Sequence, residues 1–262
     1  MAFAERAGRK IHYRREGPAD APVLMFANSI GTSLGMWDAQ AEALSDRHGI
    51  LRFDARGHGG SDPDGGAASI DDLADDALAV MDAAGTERVH FVGLSLGGMV
   101  AQRLAQTHPQ RLLSATCCAT GMALTPSSGW EDRAQMALRD GMEPFVAVSL
   151  ERWFTPAFRA SSPDAVAPVV EMLRATNPTS YAACCRVIRD TDLTPGTAKA
   201  AVPMLLVAGR QDPATPVAKL EEIRALRPDA QLVVLDPAAH ILNVEQPQAL
   251  AAALVAFIGR LA

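Results

Sequence analysis

The 262-residue sequence predicts an α/β fold: a mostly parallel, doubly wound sheet with an antiparallel hairpin at its N-terminal edge and a helical insertion late in the chain. Three observations predict it. Six short runs are almost wholly apolar, as a strand buried on both faces requires. Stretches of helical period separate them. The alternation then stops between residues 122 and 196, where helical patterns follow one another without a strand signal.

At the N-terminus, residues 2–6 and 10–15 flank the turn-like Ala7-Gly8-Arg9 and predict the hairpin. The apolar runs are VLMFAN (23–28), ILRFDA (50–55), HFVGL (90–94), LLSATCCA (112–119), MLLVAG (204–209) and LVVLD (232–236). Helices are predicted over 36–45, 70–84, 96–107 and 247–261. The second opens on Ser69 with Asp72 three residues later, close to the reciprocal pattern in which two side chains satisfy exposed helix N–H groups, and it stops at Gly85. Four helical patterns fill the insertion, with Pro126 and Gly129 at one edge and Pro195 and Gly196 at the other. The expected organisation is therefore a core of residues 1–121 and 197–262 and a cap, 122–196, over the carboxyl edge of the sheet.

Composition excludes several functions. With 48% of residues apolar the chain can bury a sizeable core, and a net charge of −6 disfavours nucleic acid and anionic membrane as partners. The opening MAFAERAGRK is charged throughout and lacks the apolar run of a signal peptide or membrane span, so a cytoplasmic location is expected. The four cysteines form two adjacent pairs without C-x-x-C spacing, and the six histidines show no H-x-x-x-H, so no metal is expected. Homo-oligomerisation is left open.

The chemistry is carried by GLSLG, residues 93–97, between an apolar run and a helix. This G-x-S-x-G pattern suits a serine held on a sharp strand-to-helix turn with its hydroxyl exposed, the flanking glycines being required because a larger side chain would crowd the bend. Gly98 is expected to let the helix approach the sheet. A phosphate-cradling loop also sits between strand and helix, but GLSLGG lacks the G-x-G-x-x-G spacing and no G-K-[ST] follows. A third reading makes Ser95 a simple cap of the helix beginning at Leu96.

A serine hydroxyl is a weak nucleophile until a base takes its proton, so Ser95 calls for a histidine and an acid to orient it. In the chain order that accompanies this turn they follow as acid, then histidine. Of the histidines after Ser95, His108 sits in the helix-ending THPQR, whereas His240 lies in the loop after the last strand. Asp212 in GRQDPATP stands just past MLLVAG and is the favoured acid; Asp236, four residues before His240 and followed by proline, suits a turn, and Asp190 and Asp192 belong to the insertion. His58, in RFDARGHGGSD, precedes Ser95 and reads as part of a tight glycine-rich loop, with a base role as the alternative. The oxyanion formed on attack needs donors, and the amides of Leu96 and of Ile30, in the loop after the first parallel strand, are placed to supply them.

At these residues the sequence resembles the α/β-hydrolase superfamily over its whole length, with a cap after the sixth strand. FANSIGTSLGMWD, RGHGGSD, GLSLGGMVAQ, ERWFTPAFR, YAACC and DPAAHILNVEQP together resemble the 3-oxoadipate enol-lactonases, which share Asn28-Ser29 where many members carry His-Gly. The resemblance implies cofactor-free hydrolysis of a small anionic enol-lactone through an acyl-serine. An anionic substrate needs a cationic or hydrogen-bonding group in the cap, and Arg152 and Trp153 in ERWFTP are the candidates. Against that stand a solvated helix-end arginine and a tryptophan packed with Val146, Leu150 and Phe154. General carboxylesterases, C–C bond hydrolases of ring-fission products and non-catalytic ligand-binding relatives share the same motifs.

Overall fold

The computed structural model describes residues 2–63 and 68–261. Met1, residues 64–67 and Ala262, which the expected core includes, lie outside the described residues. Strand β1 (Ala2–Arg6) turns into β2 (Arg9–Glu16) through Ala7 and Gly8, both at positive φ (49° and 73°), the geometry that suits a two-residue hairpin. Arg9 pairs with Arg6, so the turn is one residue shorter than expected.

The apolar runs become β3 (Val23–Ala27), β4 (Gly49–Phe53), β5 (Val89–Leu94), β6 (Leu112–Cys118), β7 (Met204–Gly209) and β8 (Gln231–Leu235). Every residue of β3, β4, β5 and β7 is buried, as continuous hydrophobicity predicts. Strand β8 is the exception: its valine run reads the same way, yet only Leu235 is fully buried, because β8 is the last strand of the sheet and pairs on one side only.

Helices α1 (Asp38–Leu44), α2 (Ile70–Ala83) and α3 (Leu96–Thr107) connect the central strands. The first starts later than expected because a 3-10 turn, Leu34–Trp37, precedes it and seats Trp37 against Phe26, ring centroids 4.9 Å apart. The second is capped reciprocally: Ser69 Oγ accepts the Asp72 N–H, and Asp72 Oδ2 accepts the Ser69 N–H at 3.0 Å. Between β6 and β7 come α4 (Ser128–Asp140), α5 (Phe145–Trp153), α6 (Pro156–Ser161), α7 (Pro163–Ala175), α8 (Pro178–Asp190) and α9 (Thr194–Thr197). The four helical patterns of the insertion are the longer ones; α6 and α9 are additional short turns. Helix α10 (Val217–Leu226) was not legible, since only Leu220 and Ile223 of its residues are buried. Helices α11 (Leu242–Glu245) and α12 (Pro247–Ile258) complete the described chain, α12 ending short of the expected residue 261.

The sheet order is β1-β2-β4-β3-β5-β6-β7-β8, antiparallel across the first three strands and parallel from β4 onward. From β3 the chain moves outward to β4 and then doubles back to β5 and β6. With right-handed crossovers this reversal puts α1 on one face and α2 and α3 on the other. The observed α1 contact with α12 and the α2 contact with α3 agree. The crevice where the connections diverge, between the carboxyl ends of β3 and β5, is where such sheets bind ligands.

All four cysteines are buried and none forms a disulfide. Burial pushes the thiols of Cys117 and Cys185 up to about 12, which leaves them protonated and unreactive. Among the described residues no helix is long and apolar enough to cross a membrane, and no three His, Cys, Asp or Glu side chains come together to hold a metal ion.

Candidate active site

Ser95 occupies the turn between β5 and α3 with φ 57° and ψ −113°, a conformation a residue with a side chain adopts only when its surroundings impose it. The imposition is visible. A Cβ on Gly93 would lie 1.9 Å from the Gly97 carbonyl oxygen, and one on Gly97 would lie 2.3 Å from that of Ala27. Gly98 makes room for the side chain of Thr120, whose hydroxyl donates to Ser95 O at 2.8 Å. The Ser95 N–H donates to Cys118 O at 2.9 Å. The backbone is thus clamped on both sides, while the Ser95 side chain makes no capping hydrogen bond to α3. The helix-cap reading does not describe how this hydroxyl is used.

Asp212 follows β7 and His240 follows β8. His240 Nδ1 lies 2.8 Å from Asp212 Oδ2. Asp212 Oδ1 accepts the N–H groups of Ala214 and Thr215 at 2.7 and 3.0 Å, and the Thr215 hydroxyl donates to Oδ2 at 2.7 Å. Burial works to raise the Asp212 pKa, but the charge of His240 and the hydrogen bonds from His240 and Thr215 outweigh it and hold the carboxyl below its ordinary range. An ionised carboxylate only accepts, so the proton at this contact is on Nδ1, and in the neutral imidazole that leaves the lone pair on Nε2. Asp236 does not compete for His240: its side chain is 55% exposed and bonds to Gln211 at 2.9 Å. His108 bonds to Thr107 at the surface end of α3. Asp190 pairs with Arg189, and Asp192 accepts the Thr194 N–H.

Ser95 and His240 line one cavity together with Ser29 and Ile30 from the loop after β3. Helices α4 and α5 add Trp130, Arg133, Arg152 and Trp153 to its lining. Trp153 lines the cavity and is 94% buried, its carbonyl accepting the Ile241 N–H at 2.9 Å. Arg152 is exposed at the cavity rim.

Beside this cavity two backbone amides, of Ile30 in its lining and of Leu96 next to Ser95, have no partner among the described residues. The neighbouring N–H groups of Gly31, Thr32 and Gly97 are engaged, by His58 Nε2, Ser29 O and Asn28 O. Among the described residues those of Ile30 and Leu96 are not. Leu96 is also the first residue of α3, whose N-terminus favours negative charge. A hydroxyl on a strained turn and an imidazole held by a buried acid in one cavity, with unpartnered amides on Ile30 in its lining and on Leu96 next to Ser95, suit acyl transfer.

Sequence reasoning missed three participants. Arg133 lies in the cavity wall with its guanidinium 5.1–5.8 Å from the ring centres of Trp130, Phe145 and Tyr181 and its Nε donating to Tyr181 OH at 2.6 Å. Of the arginines between β6 and β7, Arg139, Arg174, Arg186 and Arg189 all pair with acids, whereas among the described residues Arg133, Arg152 and Arg159 do not, and of these Arg133 and Arg152 line the cavity. Nothing local in WEDRAQ marks Arg133 as different. Thr215 could have been found, three residues past Asp212 where a turn hydroxyl meets a carboxylate. Glu245, 93% buried, accepts the Ala239 N–H at 2.9 Å and the Thr155 N–H and hydroxyl, tying the His240 loop to the cap.

The chain matches the family model described as the alpha/beta hydrolase fold over residues 22–247. It is 35% identical over 250 residues to 3-oxoadipate enol-lactonase 2 of Acinetobacter baylyi, covering 95% of this chain and 93% of that one. The crystal structure of the enol-lactonase from Burkholderia xenovorans superposes with a TM-score of 0.95 at 34% identity, covering 98% of this chain and all of the other. A protein of Azorhizobium caulinodans bearing the carbamate-hydrolase name RutD is 28% identical over 100% of this chain and 99% of its own.

Proposed function

The chain belongs to the α/β-hydrolase fold family, and from that premise we propose that this ester-hydrolysing enzyme opens a small carboxylate-bearing enol-lactone, adding water to 3-oxoadipate enol-lactone to give 3-oxoadipate. The observation that carries the reading is the Asp212–His240 contact of 2.8 Å in a cavity shared with Ser95 and overlooked by two arginines without acid partners. The enol-lactonase relatives, at 31–35% identity, support the substrate class.

In the proposed mechanism His240 Nε2 takes the proton of Ser95 Oγ as the oxygen attacks the ring carbonyl. The N–H groups of Ile30 and Leu96 receive the resulting oxyanion, each worth about 10²- to 10³-fold in rate. The tetrahedral intermediate collapses with cleavage of the ring C–O bond. The departing enolate oxygen, whose charge is delocalised over the adjoining carbon, takes the proton from His240 and tautomerises to the ketone. Because the substrate is cyclic, the whole molecule stays attached as the acyl-serine. His240 then deprotonates water, which attacks the ester carbonyl and frees Ser95. Asp212 keeps the imidazole in its working tautomer and balances the imidazolium at both steps. No cofactor enters this sequence.

Arg133 and Arg152 are the proposed receptors for the substrate carboxylate, Arg133 within the wall and Arg152 at the rim, with Trp153 closing the apolar side. Residues 122–196 act as the cap and 1–121 with 197–262 as the catalytic core. Comparing kcat/KM for the enol-lactone, p-nitrophenyl acetate and a ring-fission dienoate tests the reading. The lactone should be preferred by orders of magnitude; preference for the dienoate or the neutral ester would overturn the substrate assignment. A carbamate included in the same comparison tests the reading that the RutD relative favours.

A further inference from the structure

The loop after β3 carries the Ile30 amide, and behind that loop lies His58, which is fully buried. His58 Nδ1 is 2.8 Å from Arg56 O, and His58 Nε2 is 3.0 Å from the Gly31 nitrogen. A carbonyl only accepts and an amide N–H only donates, so both contacts are hydrogen bonds only when Nδ1 carries the proton and Nε2 keeps its lone pair. Burial pushes the His58 pKa below its ordinary value, against the raising effects of Arg56 O and Asp54, and so favours this neutral form.

Gly31 has no other handle. Its φ is +77°, and a Cβ there would lie 2.6 Å from Leu173 Cδ1, so Gly31 itself can be held only through its backbone. Around it the Gly31 N–H is held by His58, the Leu34 N–H by Asp54 Oδ1 at 2.6 Å, and the Thr32 N–H and hydroxyl by Ser29 O. The first two of these acceptors belong to the segment RFDARGHGG. That segment is itself anchored to the cap, since Gly57 O accepts the Asn177 N–H at 2.9 Å.

We infer that His58 is a positioning residue, a neutral acceptor that grips the Gly31 N–H and thereby aims the adjacent Ile30 N–H at the developing oxyanion. The inference rests on the reading of Ile30 as an oxyanion donor. It accounts for a buried histidine that neither lines the cavity nor exchanges protons with substrate. A displacement of a catalytic group by about 1 Å costs on the order of 100-fold in rate, and His58 controls a displacement of that kind.

The test measures kcat and KM for the lactone, and Ki for a boronic acid that mimics the tetrahedral intermediate, in the wild type, His58→Leu and His58→Gln. His58→Leu should lower kcat by about 10- to 100-fold with KM within about twofold, and weaken the boronate by the same factor as kcat. His58→Gln keeps an acceptor oxygen and should recover most of both. A folded His58→Leu enzyme with wild-type kcat and boronate affinity overturns the inference. Should His58→Leu fail to fold, ¹⁵N NMR of histidine-labelled wild type decides: His58 Nε2 must be unprotonated and must respond to boronate, and a proton on Nε2 or an indifferent signal contradicts the assignment. A wild type that neither turns over esters nor reacts with a fluorophosphonate removes the functional reading itself, which these variants leave distinguishable.

Discussion

Asp212 and His240 are separated by 28 positions in sequence and meet at 2.8 Å, whereas Asp236, four residues before His240, points to the surface. Proximity in sequence is therefore a poor guide to the acid; the loops after β7 and β8 bring the distant one in. Asp212→Asn should lower kcat by about 10³- to 10⁴-fold by favouring the wrong imidazole tautomer, with circular dichroism unchanged. Asp236→Asn should stay within about twofold of wild type. Steady-state kinetics on both variants checks this, and the reverse pattern would reassign the acid.

The depressed pKa of Asp212 makes a pH prediction for stability. A carboxyl that is more acidic folded than unfolded contributes stability in full above its ordinary value of 3.8 and loses it as pH falls through the lower folded value. The melting-temperature advantage of wild type over Asp212→Asn should be flat above about pH 5 and shrink below about pH 4. An advantage that grew on acidification would mean that the folded carboxyl is raised instead.

Arg133 and Arg152 face the cavity without acid partners, and a charged hydrogen bond to a substrate carboxylate contributes about 1.5–3 kcal/mol. Arg133→Met and Arg152→Met should each raise KM for the lactone by roughly 10- to 100-fold while changing KM for p-nitrophenyl acetate by less than about threefold. Equal effects on the two substrates would remove the carboxylate role. Arg133 also holds Tyr181, so its melting temperature should be recorded alongside.

Glu245 joins the His240 loop to the junction of α5 and α6. Glu245→Ala would leave the Ala239 N–H, the Thr155 N–H and the Thr155 hydroxyl without their buried acceptor. Each orphaned group costs about 1–3 kcal/mol, so urea unfolding should show a loss of about 3 kcal/mol or more. A loss below about 1 kcal/mol would show that water or a neighbouring group replaces the carboxylate.

What the sequence disclosed follows from the range of the forces involved. The apolar runs, the Ser69–Asp72 cap and the glycine-bounded turn at Ser95 are local, and each could be read from a few adjacent residues. Strand β8 was overestimated in burial because its exposure depends on its place at the sheet edge, which no local pattern encodes. Helix α10 was missed because it buries too little to show a stripe. At the site, Ser95, Asp212 and His240 each stand at a strand end, a position legible from hydrophobic periodicity. Arg133 was not legible: what marks it is a place in the cavity wall without an acid partner, which exists only once the helices between β6 and β7 have packed, and the arginines nearby look the same in sequence. The role of His58 was hidden for a related reason, since its partner is the Gly31 amide, 27 residues earlier, and a backbone group leaves no mark in composition.

In the proposed mechanism the lactone acylates Ser95. Rapid-quench mass spectrometry of enzyme mixed with excess enol-lactone measures it directly. Wild type should gain the full mass of the lactone, since ring opening releases no fragment, and peptide mapping should place the adduct on Ser95 and find none in Ser95→Ala, which should also be inactive. An adduct on another residue, or lactone turnover that persists in Ser95→Ala, would contradict the account.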